Sequence, residues 1–200
     1  MVYSVSSRNP AATRTAILDA ARSLFEAQDY LTVGLDAVAK KAGVSRQAIY
    51  LHFDSKAAML EALHQRINEQ DVAPAFEKVW RANSATAALD AWVDACADAI
   101  PKILGIFNAL EPKRQLDAEA EATWKAPTEG QYAGCRRLAE LLDRDHALAR
   151  GVSVTDAADM VWSLTSVRAY ESLVIERGWS RQRWTRWLKK TLRTLLLAER

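Results

Sequence analysis

Residues 34–56 read GLDAVAKKAGVSRQAIYLHFDSK, and they hold side chains whose chemistry suits one polymer. Arg46 and Gln47 are adjacent and open a short predicted helix. Arg forms paired hydrogen bonds with guanine and Gln with adenine, so this pair suits reading base edges. Tyr50, His52 and Lys56 suit phosphate oxygens, which fix orientation without reading sequence. Lys40 and Lys41, with the backbone of Gly34, extend the same surface. Ser45 stands where an N-cap would start the helix that carries Arg46 and Gln47.

Positioning these groups needs two short helices and a tight turn. Leu35, Val38, Ala39 and Ala42 share one face of a helix over about residues 35–42. Gly34 or Asp36 can cap its start, and Gly43 sits where a left-handed residue would end it. The second helix is RQAIYLHF, with Val44 and Ile49 turned inward. A helix, a glycine corner and a second helix make helix-turn-helix geometry, whose second helix fits a DNA major groove. The same pattern also serves as a plain turn between two core helices.

Further residues decide between the two. Val38-Ala39, Ala42-Gly43-Val44-Ser45, Ile49-Tyr50, His52-Phe53 and Ser55-Lys56, with Leu60 beyond, closely resemble the DNA-binding head of the TetR family of transcriptional regulators. Phe25 and Tyr30 fit the end of that family's first helix, and the likeness covers about residues 15–67. Asp29 and Gly34 depart from it, since the family often has Gly and Thr there. A Thr hydroxyl that would touch phosphate is therefore missing. The resemblance implies a homodimer on an inverted-repeat, double-stranded DNA operator. It also implies a C-terminal domain that holds a small molecule and pairs with its twin through a four-helix bundle. Ligand binding would then favour a spacing of the heads that releases DNA. The commonest role would be repression, with an activator or a corepressor-dependent regulator as the alternative.

The whole chain of 200 residues is half apolar and 26% charged, with few Gly and Pro, at 7 and 5. Such a composition excludes a disordered or collagen-like chain and disfavours an all-β fold. Periodicity predicts an all-α protein of about nine helices. A head over 1–56 would join an effector-binding and dimerisation domain over 57–200, with a long helix over 56–80 shared between them. Helices are expected over 84–100, 102–110, 128–144, 155–176 and 180–198, broken at Pro101. An acidic, partly irregular stretch is expected over 115–127. No apolar run is long enough for a membrane span, and the start lacks a secretory h-region, which reads as a cytoplasmic protein.

Charge is uneven. Residues 1–56 hold seven Lys or Arg against five Asp or Glu, while 177–200 hold eight basic residues against Glu199. A net charge of +2 excludes binding to nucleic acid by bulk charge alone. The basic end reads as a solvated helix face or as cross-subunit ion pairs rather than a second DNA surface.

Aromatic and small residues in the body suggest a ligand cavity between the middle helices. Its candidates are Trp92, Cys96, Phe107, Trp124, Tyr132, Trp162, Ser166 and Tyr170, suited to a hydrophobic or aromatic effector. Candidates for the dimer face are Trp162, Thr165, Ala169, Leu173, Trp184, Trp187, Leu188, Thr191 and Leu195. Arg168, in an apolar segment, reads as the partner of a carboxylate or as a solvent-reaching chain. Cys96 and Cys135 read as buried, reduced thiols. The histidines and cysteines lack metal-ligand spacing, and no nucleophile–base pair or phosphate-binding glycine loop occurs. Neither a metal, a cofactor nor an enzyme is therefore expected.

Overall fold

A computed structural model describes residues 9–27, 33–111 and 118–198; at some helical positions, Trp124 among them, only the backbone is described. The helices are α1 (Pro10–Ala27), α2 (Leu35–Ala42), α3 (Arg46–Tyr50), α4 (Lys56–Ile67), α5 (Ala73–Trp80), α6 (Ala85–Leu110), α7 (Ala118–Arg144), α8 (Val154–Leu164), α9 (Val167–Tyr170) and α10 (Arg181–Leu196). Asn68–Val72 continues α4 into α5 as a π-helical turn, and Glu171–Glu176 extends α9 in the same way. The expected 56–80 helix is therefore one rod with a wide turn in its middle. No strand occurs among the described residues; Leu148 and Leu197 form an isolated antiparallel bridge.

Serine sets most of the helix starts. Ser45, Ser55, Ser84, Ser153, Ser166 and Ser180 are extended N-caps whose hydroxyls accept from the third helical N–H. Each such cap contributes about 1 kcal/mol relative to alanine. Ser153 and Asp156 complete a reciprocal capping box.

Three expectations about helix ends need correction. α6 runs through Pro101, because Ile100 and Ile106 are buried on either side of the break while the ring faces solvent. Packing of that face outweighs the one lost backbone hydrogen bond. α7 begins at Ala118 and passes through Pro127, so 118–127 is helix rather than irregular chain. Its opening AEAEATWK consists largely of strong helix formers. The predicted 155–176 helix is divided at Thr165 and Ser166. Thr165 Oγ1 donates to the Val161 carbonyl at 2.7 Å, and Ser166 starts α9 as its cap. Local hydroxyl bonds of this kind compete with the helical ladder.

Two cores result. The head core gathers Ile17, Phe25, Val38, Ile49, Phe53, Leu60 and Leu63 from α1–α4 and adds Ile106 of α6. It therefore reaches past residue 56 into the body. The body core takes Leu89, Trp92, Val93, Leu138, Val161, Trp184, Leu188 and Leu192. Ile103 and Phe107 of α6 pack against both.

The junction is close. A Cβ at Gly105 would lie 3.0 Å from the Phe25 carbonyl oxygen, a tight contact that a larger residue could make only by shifting backbone where α6 crosses the end of α1. Nearby, Asp71 in the π turn binds Arg22 of α1 at 2.8 Å and Lys102 of α6 at 3.4 Å. Burial pushes its carboxyl up, and the two cations more than offset this, holding it below the usual carboxylate value. Gly105→Val is expected to destabilise the protein by about 1–3 kcal/mol through overpacking against backbone, read as a lower urea midpoint.

Candidate DNA-binding face and effector cavity

The helix-turn-helix forms as its residues dictate. Gly34 is the extended N-cap of α2 and supplies no side-chain bond, while Gly43 adopts φ 66°, the left-handed corner. Ser45 accepts from Ala48 N–H at 3.1 Å, and Ile49 is buried beneath α3. α3 therefore presents Arg46, Gln47 and Tyr50 to solvent, with Leu51, 81% exposed, beyond its end. Lys40 and Lys41 are exposed in the last turn of α2.

Three of the expected contact residues, Lys56, Ser45 and Arg46, carry internal bonds. Lys56 is half-buried and its ammonium donates to the Val33 carbonyl at 2.7 Å, which ties α4 to the segment before α2. Ser45 is engaged as a cap. His52 is half-buried in the turn after α3, its ring tilted against Phe53. The sequence reading missed Asp36, considered only as a cap. Its carboxylate receives Arg46 Nη1 at 3.0 and 3.3 Å. Tyr50 and the Asp36 charge raise the Arg46 pKa, and the Asp36 pair lies exposed on the surface.

A cavity of about 500 Å³ lies between the α4–α5 rod, α6 and α7. Trp92, Cys96 and Phe107 line it, as expected. Four other candidates lie elsewhere. The Tyr132 hydroxyl donates to Asp159 of α8 at 2.9 Å, and its ring meets the edge of Trp162. Trp162 lies on the outer face of α8, 36% exposed. Ser166 is a cap, and Tyr170 packs on Trp184 in the body core. The side chain of Trp124 lies outside the described residues.

The reading missed the wall on α4 and α5. Glu61, His64, Gln65 and Asn68 line the cavity from α4 and the π turn, followed by Phe76 and Trp80. The signal was present: 61, 64, 65 and 68 form a polar stripe at helical spacing beside the buried Leu60, Leu63 and Ile67. Phe76 and Trp80 meet Trp92 edge-on, with centroids 4.7 and 6.2 Å away. The Trp92 indole N–H donates to Thr165 Oγ1 at 3.4 Å. A Cβ at Gly134 would lie 2.9 Å from this ring, so α7 packs directly on it.

Burial pushes the His64 imidazole below its ordinary value and the Cys96 thiol up to about 12. Both groups are neutral near pH 7. The other cysteine, Cys135, is likewise free and buried. No cluster of His, Cys, Asp or Glu suited to a metal occurs among the described residues. No described helix is long and apolar enough to cross a membrane.

The dimer candidates divide by burial. Trp184, Leu188 and Thr165 are fully buried within the chain and cannot face a partner. Trp187, Thr191 and Leu195 lie on a separate stripe of α10; Trp187 and Leu195 are 37% and 44% exposed. Ala169 and Leu173 are half-buried. The basic end pairs within the chain: Arg181, Lys189 and Arg193 of α10 bind Asp98, Asp94 and Asp90 of α6. Arg168 pairs with Glu111.

A helix-turn-helix head joined to a helical, cavity-bearing body defines a class of regulatory protein. The family model described as bacterial regulatory proteins, tetR family, matches residues 17–63. The head is thus similar to that of the TetR family, and the fold of the whole chain is that of the solved structures below. Over 75 residues it is 42% identical to the HTH-type transcriptional regulator SrpR of Pseudomonas putida, covering 35% of either chain. It is equally identical over 75 residues to the HTH-type transcriptional regulator TtgW of the same species, covering 35% of this chain and 56% of that one. The match thus spans about a third to a half of these relatives.

Solved structures match over nearly the whole length. One is a protein described as a transcriptional regulator from Saccharomonospora viridis in complex with choline, at TM-score 0.79, 16% identity, and coverage of 95% of this chain and 100% of that one. Another is NalD, the secondary repressor of the MexAB-OprM multidrug efflux pump in Pseudomonas aeruginosa, at 0.66, 21%, 94% and 98%. FadR of Bacillus subtilis in complex with stearoyl-CoA matches at 0.70, 17%, 89% and 96%.

His64 gives a pH prediction. Its folded-state value lies below the ordinary 6.5, so below that pH the unfolded chain binds more protons and stability falls. Among the described lining residues, Glu61 on α4 and Cys96 on α6 are the other titratable groups, and those of α7 include none. The Tm advantage of the native chain over His64→Gln is expected to shrink from about pH 7.5 to about pH 5.5.

Proposed function

We propose that the protein is a homodimeric transcriptional repressor that binds an inverted-repeat DNA operator and is released from it by a small, mostly apolar ligand in the cavity. The observation that carries the reading is α3: a helix capped by Ser45, held from beneath by Ile49, with Arg46, Gln47 and Tyr50 directed outward. Such a helix fits the major groove, and Arg46 and Gln47 suit guanine and adenine. Asp36 pairs with the Arg46 guanidinium at the surface, and a guanine edge would compete with it for that group.

Two further features support the reading. The outer stripe of α10, with Trp187 and Leu195, and the neighbouring Trp162 of α8 leave large apolar groups in water, as a partner copy would cover. Ile103 and Phe107 line the cavity and also pack on the head core, so a ligand there would bear on the head directly. NalD, one of the structural matches, is a repressor.

Selection of random duplex DNA on the purified protein is expected to enrich an inverted repeat. Anisotropy on that repeat is then expected to show strong weakening with salt. Arg46→Ala should lower operator affinity by about 1–3 kcal/mol and relax preference at the base it reads. Enrichment of no repeat, or an Arg46→Ala protein with unchanged affinity and preference, would overturn the docking. A ligand that tightens binding instead would make the protein corepressor-dependent.

A further inference from the structure

The charge of the cavity wall narrows the chemistry of what it holds. Glu61 is the only Lys, Arg, Asp or Glu among its described lining residues. The neighbouring basic side chains are engaged outside it: Arg66 binds Asp19 at 2.6 Å, and Lys102 binds Asp71. His64, the remaining candidate for positive charge, is kept neutral by burial. An anionic ligand would therefore meet a carboxylate and no cation.

The rest of the wall favours positive charge. Phe76, Trp80, Trp92 and Phe107 line the same space, and aromatic faces attract cations through the ring quadrupole. Trp92 is fixed by Thr165, Phe76 and Gly134, so little ordering is left for binding to impose. Trp80 already carries a cation: the Arg137 guanidinium, which does not line the cavity, lies 4.0 Å from its ring centroid. A second cation gains less at Trp80 for that reason, and Trp92 is almost wholly buried, so Phe76 and Phe107 supply most of the attraction. Gln65 and Asn68 give polar groups beside Glu61 at the same wall.

We infer that the cavity takes an organic cation, an aromatic or amphiphilic amine or quaternary ammonium, whose charge faces Glu61 and whose apolar part lies among Phe76, Trp92 and Phe107. The inference rests on the reading of the cavity as an effector site, but binding alone tests it.

The test is calorimetric titration of the full chain, without DNA, using two sets of probes matched in shape. The bulky set is tetraphenylphosphonium, neutral triphenylphosphine oxide and anionic tetraphenylborate. The flat set is N-methylacridinium and neutral acridine at a pH above its own titration. In at least one set the cation is expected to bind about tenfold more tightly than its neutral counterpart, and tetraphenylborate more weakly than either of its set. Glu61→Gln should reduce that preference about threefold while the neutral probes bind as before. Its circular dichroism and Tm verify the fold.

Neutral or anionic probes binding as well as the cations would overturn the inference. So would cations that fail to bind, or a preference that survives Glu61→Gln unchanged. The effector reading fails separately. Cations that bind with the expected preference yet leave operator affinity unaltered would overturn release by ligand and leave the charge assignment standing. Neutral probes that bind as well as the cations and release DNA would do the reverse.

Discussion

One helix has to satisfy two cores. α6 buries Leu89, Trp92 and Val93 in the body, then turns Ile106 into the head, with Ile103 and Phe107 packed on both. Gly105 helps it do so by letting its backbone lie close against the Phe25 carbonyl. Asp71 fastens the same junction from the other side, through Arg22 of α1 and Lys102 of α6. Close-packed interiors transmit displacement rather than absorb it. A shift of α6 would therefore be felt at α1, which packs in the head core.

The cavity is built on that junction rather than beside it. Its floor is α6, its polar wall is α4, and α4 is also a principal part of the head core through Leu60, Leu63 and Ile67. Adjacent stripes of one helix thus serve the cavity and the head. The π turn at Asn68–Val72 lies where α4 passes from head to body, and such wide turns are common at functional places in helices. At the other pole of the molecule, α3 is short and held by a single buried residue, Ile49. Its orientation is inherited from α2 and α4.

The head was legible in the sequence because its signals are local. Gly43 must be left-handed at the corner, Ser45 must cap, and Val38 and Ile49 must turn inward; each is a property of a few adjacent residues. The cavity was legible only where aromatic residues marked it, at Trp92 and Phe107. Tyr132, Trp162 and Tyr170 have the same chemistry but face Asp159, solvent and Trp184, and only tertiary packing decides which. On α10, Trp184 and Trp187 look equivalent in sequence, yet a rotation of three residues buries one and exposes the other. The prolines misled for a related reason. Pro101 breaks a pattern locally, while the two cores on either side hold the helix together.

The acid–base rungs between α6 and α10 have a kinetic consequence. Asp90, Asp94 and Asp98 neutralise Arg193, Lys189 and Arg181 at home, on a helix that packs against α6 and α8. Left bare, those cations would draw a polyanion to the wrong end of the molecule. With these three cancelled, the positive field of this end comes down to the remaining cations of α10, Arg183, Arg186 and Lys190, and is weaker than the sequence alone suggests. A weaker field at the far end would leave fewer encounters with a polyanion misoriented, with no contact added.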